Sequence, residues 1–202
     1  NSTKRTDCVL HLAALISIPY SYHTPESYIQ TNVLGTYNIL NASLKNNVSK
    51  IIHTSTSEVY GSVKKLPILE TGNLNANSPY AASKISADQI ALSYYKSYDV
   101  PVAILRPFNT YGPRQSARAI IPNIITQLNK KKHIQLGNIK PTREFNYVDD
   151  IVNAFKLSIS NKKIVGEILN LGNGYNISIF ELYKIISKLM NKNSKIIITK
   201  ER

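Results

Sequence analysis

Thr54-Ser-Thr-Ser-Glu-Val-Tyr60, followed by Ser78-Pro-Tyr-Ala-Ala-Ser-Lys84, decides how this chain is read. The first stretch continues the apolar run Lys50-Ile-Ile-His53. A short apolar run opening into hydroxyl-bearing residues reads as the carboxyl end of a buried strand entering a loop. The second stretch reads as a helix start, with Ser78 as N-cap and Pro79 at the first helical position. Tyr80 and Lys84 then stand one turn apart on one face. A cation beside a phenol favours the phenolate, so Tyr80 is expected to serve as a base nearer neutral pH. Tyr-x-x-x-Lys arises by chance in many helices. The Thr/Ser/Glu cluster at a strand end just upstream gives it weight.

The same alternation extends outward in both directions. Asp7-Cys-Val-Leu-His-Leu-Ala-Ala14 reads as a buried parallel strand whose small terminal residues let a ligand approach the backbone. His11 within it reads as a packed core histidine. Residues 15–23 form a Tyr/Ser/Pro-rich loop. A helix then starts with Thr24 as cap, Pro25 at its first position and Glu26 in its first turn. Its apolar positions Tyr28, Ile29, Val33, Tyr37, Leu40 and Leu44 keep a helical period to about Asn46. Asn32 interrupts that face, either bonding a neighbouring backbone or facing solvent.

Beyond Thr54, a polar connection from Ser62 to Asn77 leads to a helix from Pro79 to about Tyr98. Val100–Leu105 reads as a strand, and Arg106–Pro113 as a loop that Pro107, Gly112 and Pro113 keep from being helical. A helix fits Ala117–Lys131 and a strand His133–Leu136. Asp149-Asp150 can cap a helix to about Ser160, and Gly166–Leu171 reads as a strand. Ser178 and Glu181 form a capping box with Ile177 and Leu182 as its staple. That helix runs to about Met190, and Lys195–Thr199 is a last strand. Strands alternating with helices mean an α/β fold with a mainly parallel sheet, whose ligands sit beyond the carboxyl ends of the strands.

Composition narrows the partners. Twenty-five Lys and Arg against 12 Asp and Glu give a net charge of +13, which suits an anionic partner such as a diphosphate-bearing small molecule. The lysines are scattered. Lys130-Lys131-Lys132 is the densest run and no aromatic residues interleave it, so the pattern is a solvated basic surface and no nucleic-acid partner is expected. No apolar run reaches the ~18 residues of a membrane span, so no membrane partner is expected either. Cys8 is the only cysteine, which excludes disulfides within the chain, points to a reducing cytoplasm and reads as a packed core thiol. No metal site is expected.

Taken together, His11-Leu-Ala-Ala14, Thr54–Gly61, Tyr80-Ala-Ala-Ser-Lys84, Arg106-Pro-Phe-Asn-Thr-Tyr-Gly-Pro-Arg114 and Arg143-Glu-Phe-Asn-Tyr-Val-Asp-Asp150 resemble, in order, the extended short-chain dehydrogenase/reductases acting on nucleotide sugars. Within them the chain is similar to the NAD-dependent sugar-nucleotide 4,6-dehydratases. His11–Tyr22 is most similar to the amino-sugar dehydratases of legionaminic acid biosynthesis. The resemblance implies a Rossmann-type parallel sheet flanked by helices, N-terminally truncated, with part of a small C-terminal substrate lobe. Residues 1–112 would be the later part of the NAD-binding domain. Residues 113–202 would be mainly the substrate lobe, with about 145–171 returning to the core. Such families open with a Gly-x-x-Gly-x-x-Gly turn. None of the eight glycines here gives it, and Gly172-Asn-Gly174 after a late strand reads as a turn. An internal fragment is therefore expected.

The resemblance also assigns roles. The family oxidises C4 of a hexose, eliminates water across C5 and C6, and returns hydride to C6. Tyr80, assisted by Lys84, would take the 4-hydroxyl proton, Thr56 would hold the 4-oxygen, and Glu58 would be the base at C5. Leu12, Ala13, Ala14, Thr31, Thr54 and Pro107, with Tyr80 and Lys84, would line NAD. Asn109 and Arg143 would hold the diphosphate of the nucleotide sugar, expected to be UDP- or GDP-linked N-acetylglucosamine, while Arg106 would be a structural ion-pair partner. Dehydratases of the deoxythymidine-diphosphate-glucose type carry Asp beside the Glu. Here Ser57 stands there, so Glu58 is expected to serve as both base and acid. A homodimer through the helices Pro25–Asn46 and Pro79–Tyr98, which carry apolar residues around more than one face, Tyr37, Tyr94 and Tyr95 among them, and a role in cell-surface polysaccharide biosynthesis are also expected. UDP-glucuronate decarboxylases, 4-epimerases of the same family and an inert fragment serving as an interaction module are the rival readings.

Overall fold

In a computed structural model that describes residues 3–63, 65–130 and 132–199, the elements follow in order. They are β1 (Cys8–His11), α1 (Ile18–Ser21), α2 (Pro25–Tyr28), α3 (Gly35–Lys45), β2 (Lys50–Thr54), α4 (Pro79–Tyr98), β3 (Val102–Pro107), β4 (Asn109–Tyr111), α5 (Ile120–Lys130), β5 (His133–Leu136), β6 (Thr142–Tyr147), α6 (Val148–Ser160), β7 (Ile168–Leu171), β8 (Asn176–Ser178), α7 (Ile179–Leu189) and β9 (Lys195–Ile198). The middle of the expected Lys130-Lys131-Lys132 run, Lys131, lies outside the described residues, as does Asn1. Two compact units emerge, one of residues up to Phe108 with Asp149–Leu171, the other of Asn109–Val148 with the residues from Gly172 onward.

The first unit is an α/β layer structure of Rossmann type. Its sheet has the order β1-β2-β3-β7, and every pairing is parallel, with His11 beside His53, Thr54 beside Leu105 and Pro107 beside Leu171. Successive side chains of a strand leave opposite faces, so a sheet covered on both sides needs continuous apolar runs. Ile51, Val102 and Ile104 pack with Leu40 of α3 and Ala91 of α4 on one face. Ile52, Ala103 and Leu105 pack with Phe155 of α6 and Ile164 on the other. Lys50 ends its buried side chain on the last carbonyls around α6, donating to Ser158 O at 2.8 Å, Ile159 O at 3.1 Å and Asn161 O at 2.6 Å. A cation there also complements the helix dipole.

The long helix expected from Pro25 to Asn46 is interrupted. Between α2 and α3 the backbone widens into a π-helical stretch, Ile29–Leu34. Asn32 explains the insertion: wholly buried, its Oδ1 accepts from Leu15 N at 2.8 Å and its Nδ2 donates to Leu15 O and Ser83 Oγ at 2.9 Å. An extra residue in the turn swings this amide inward to satisfy the loop after β1. Thr24 caps no amide; its hydroxyl donates to Tyr20 O at 3.4 Å. The expected loop of residues 15–23 contains one helical turn, α1, and the loop after Arg106 contains the short strand β4. Asp149 and Asp150 fall inside the first turn of α6, where they favour the dipole and do not cap it.

The second unit holds the three strands β4-β6-β8 and the pair β5-β9. Ile124, Leu128, Ile134, Leu136, Leu182, Tyr183 and Ile186 form its core. The Ser178–Glu181 capping box is present, and Ile177 and Leu182 both join the core cluster. Gly172-Asn-Gly174 is a turn. Gly174 has φ +77°, its amide donates to Glu144 Oε1 at 2.9 Å, and a Cβ on Gly172 would meet the same oxygen at 2.3 Å. The Gly174 amide thus serves a carboxylate of its own chain.

Candidate active site

The site grows from the junction of β2 and α4. Ser78 Oγ accepts from Ala81 N at 3.1 Å and starts α4 with Pro79 at its first position. Tyr80, Lys84 and Asp88 follow on successive turns of one face, and all three are buried. Lys84 Nζ donates to Thr54 O at 2.6 Å. Thr56 Oγ1 accepts from Glu58 N at 3.2 Å, capping the 3-10 turn Ser57–Tyr60 and so presenting Glu58. The Thr56 side chain and the Glu58 charge both act on the Tyr80 phenol. Thr56, Glu58, Tyr80 and Lys84 are therefore brought together.

The electrostatics overturn one expectation. Burial pushes the Tyr80 phenol up to about 12, with Glu58 adding to it and only the Thr56 bond opposing it. Burial also pulls Lys84 down to about 8, against the Asp88 charge that holds it up. Desolvation of the phenolate outweighs the help expected from Lys84. Tyr80 rests as a phenol at neutral pH.

His11 is the buried histidine expected, its Nε2 3.0 Å from Thr36 Oγ1. Burial lowers it to about 4 from 6.5, and His53 and Lys84 add to the effect. The unfolded chain takes the proton first, so stability that is complete above pH 6.5 is lost as pH falls toward about 4. At ~1.4 kcal/mol per unit the loss approaches ~3 kcal/mol. Urea unfolding at pH ~7 and ~4.5 should show a smaller drop in His11→Asn than in wild type. An equal drop in both would contradict this account. Burial raises the half-buried Cys8 thiol, in keeping with a packed role.

The residues expected around a cofactor sit at the carboxyl ends of adjacent strands. Leu12 and Ala13 are exposed and Ala14 half-buried just past β1, Thr54 ends β2, and half-buried Pro107 ends β3. Thr31 is half-buried in the π-helical stretch. Among the described residues Thr54 Oγ1 is a buried hydroxyl without a hydrogen-bond partner. In the second unit, Asn109 pairs with Phe145 across β4 and β6, and its Nδ2 donates to Glu144 O at 3.3 Å. Arg143 lies two residues away on β6, exposed, with Nη1 donating to Thr142 O at 2.9 Å.

Sequence reasoning missed Asp88. Its position, one turn past Lys84 on the stripe that begins at Tyr80, was the available signal. Arg106 proves to be the ion-pair partner, its Nη2 2.9 Å from Asp88 Oδ2.

Residues 2–201 match the family model described as GDP-mannose 4,6 dehydratase. A dTDP-D-glucose 4,6-dehydratase of Dictyostelium discoideum is 37% identical over 195 residues, covering 91% of this chain and 45% of that protein. The crystal structure of the dTDP-glucose 4,6-dehydratase of Streptomyces venezuelae with NAD bound gives a TM-score of 0.94 at 31% identity, over 100% of this chain and 63% of that one. A UDP-N-acetylglucosamine 4-epimerase from Methanobrevibacter ruminantium M1, in complex with UDP-N-acetylmuramic acid, gives 0.92 at 34% identity, over 100% and 66%. The chain spans about half the length of the curated relatives it matches. With both the family match and the fold running through nearly all its residues, the chain belongs to the GDP-mannose 4,6 dehydratase family.

Proposed function

We propose that the whole protein catalyses NAD-dependent 4,6-dehydration of a nucleotide-diphospho-amino sugar, UDP- or GDP-linked N-acetylglucosamine, to its 4-keto-6-deoxy product. The observation that carries this reading is Glu58, presented by the Thr56-capped turn beside Tyr80. A carboxylate there suits removal of the proton at C5, which a 4-epimerase has no need to remove. The unit built on β1, β2, β3 and β7 would hold the cofactor, and the other unit mainly the sugar nucleotide.

The chemistry NAD supplies when bound is reversible acceptance of a hydride. Leu12, Ala13, Ala14, Thr31, Thr54, Pro107 and Lys84 would hold it. Tyr80 takes the proton from the 4-hydroxyl, and Thr56 orients that oxygen. Once C4 is a ketone the C5 hydrogen is acidic. Glu58 removes it and delivers the proton to the departing C6 hydroxyl, so that the carboxylate is regenerated as water leaves. Ser57, half-buried on the same turn, contributes a hydrogen bond only. Asn109 and Arg143 take the diphosphate, Arg143 as a charged fork.

The 34% identity to the 4-epimerase makes epimerisation the second reading. Incubating full-length protein and NAD with UDP-N-acetylglucosamine should give a product lighter by one water. A 4-epimer of unchanged mass, or carbon dioxide from UDP-glucuronate with no action on the amino sugar, would reject dehydration.

A homodimer through α3 and α4 belongs to the same proposal, as do a cytoplasmic location and a place in cell-surface polysaccharide biosynthesis. Tyr37 and Tyr98 are exposed, and they flank Tyr94 with ring centroids 6.4 Å and 5.1 Å from it. Tyr95 packs on Gly166, where a Cβ would meet its ring at 2.4 Å. Exposed aromatic rows of this kind suit a partner helix face. Light scattering should give a dimer mass that Tyr37→Glu/Tyr98→Glu halves. A monomeric wild type would exclude the dimer.

A further inference from the structure

Beneath Tyr80 and Lys84 lies a polar cluster that the proposed chemistry leaves unused. Asp88, the next turn of α4, is fully buried. Its Oδ2 accepts from Ser55 Oγ at 2.8 Å, from Arg106 Nε at 3.1 Å and from Arg106 Nη2 at 2.9 Å. Its Oδ1 lies 3.2 Å from His53 Nε2. His53 and Ser55 flank Thr54, whose carbonyl receives the Lys84 ammonium. Arg106 Nη1 donates to the hydroxyl of Tyr60 at 2.9 Å, the last residue of the turn that carries Glu58. Tyr60 in turn donates to Asn170 Oδ1 on β7 at 2.8 Å. One carboxylate thus ties α4 to β2 on both sides of Thr54 and, through Arg106, to the Glu58 turn.

We propose that Asp88 is a positioning residue for the Tyr80–Lys84 pair, the buried counter-charge that keeps Lys84 an ammonium seated on the Thr54 carbonyl. The proposal rests on reading Tyr80 and Lys84 as the reactive pair. The groups around Lys84 support it. From α4 itself come Tyr80 and Asp88, from β1 His11 and from β2 His53, and from β3 Arg106 by way of Asp88; Tyr28 and Glu58 stand on the Tyr80 side. Burial lowers both histidines, so they carry no charge to balance. Arg106 and Lys84 are both buried cations, and Asp88 is the only buried carboxylate among the described residues. It serves both. Its geometry fits that double duty: the guanidinium fork and Ser55 saturate one oxygen, while the field of the whole carboxylate reaches one helical turn back to Lys84. Burial draws Lys84 down to about 8 and Asp88 opposes it, so removing that charge lowers Lys84 further.

The test is a pH titration of Lys84 in the full-length protein carrying carbon-13 at lysine Cε, the resonance being identified by its loss in Lys84→Arg. Asp88→Asn keeps the shape and an acceptor oxygen but removes the charge. Its Lys84 midpoint should fall by about one pH unit or more, and Asp88→Glu should restore most of it. Should Asp88→Asn fail to fold around the uncompensated guanidinium, the double variant Asp88→Asn/Arg106→Met is compared with Arg106→Met alone, and its Lys84 midpoint should lie lower. Lys84 titrating at the same pH in Asp88→Asn as in wild type, or in the double variant as in Arg106→Met, would overturn the proposal. No turnover is needed, so a failure of the dehydratase reading leaves this outcome readable.

Discussion

Glu58→Gln should abolish dehydration while sparing the first step. In the proposed reaction oxidation at C4 uses Tyr80, Thr56 and Lys84, which the substitution leaves in place; losing the Glu58 charge only eases the Tyr80 phenol downward. Only the elimination needs a carboxylate. Loss of a general base costs ~100- to 10,000-fold, and in the proposed reaction the same group returns the proton to the leaving hydroxyl, so the upper end is expected. The full-length variant, given UDP-N-acetylglucosamine, should build up reduced cofactor by absorbance with almost no 4-keto-6-deoxy sugar. Tyr80→Phe should suppress both signals. Wild-type dehydration by Glu58→Gln would remove Glu58 from the base role.

Arg106→Ala should cost about 3–5 kcal/mol of stability, the usual consequence of stranding one partner of a buried pair. Both side chains are essentially inaccessible, so Asp88 would lose its Nε and Nη2 bonds with no water to replace them. Tyr60 would lose its guanidinium donor as well. Denaturant unfolding reads the loss. Arg106→Met/Asp88→Leu should recover much of it, because matched apolar groups need no partner. A single variant as stable as wild type would mean that water reaches the cluster.

Much of this was legible beforehand. β2 and α4 begin and end nearly where the apolar run of Lys50–Thr54 and the Ser78-Pro79 start place them, because those signals are local. The capping box at Ser178 is equally local. The π-helical stretch was not legible, since it follows from Asn32 meeting Leu15 and Ser83, residues far away in the chain. Thr24 looked like a cap by type, yet its φ and ψ of −137° and 61° aim its oxygen elsewhere. Strands β4 and β8 are three residues long and carry no period of their own. Among the expected site residues, Thr56, Glu58, Tyr80 and Lys84 converge because one strand end meets one helix start. The sign of the Tyr80 shift was missed because spacing reports proximity to Lys84, whereas burial sets the cost of charge. Asp88 was missed because a carboxylate on a helix reads as solvated until the strands that bury it are in place.

The most direct measurement follows a label through the reaction. Full-length protein with NAD would be given UDP-N-acetylglucosamine carrying deuterium at C4, and the product examined by mass spectrometry and NMR. The account predicts a 4-keto-6-deoxy sugar, one water lighter, with the deuterium on C6 and solvent hydrogen at C5. Deuterium retained at C4 of a product of unchanged mass would contradict it and make the protein a 4-epimerase.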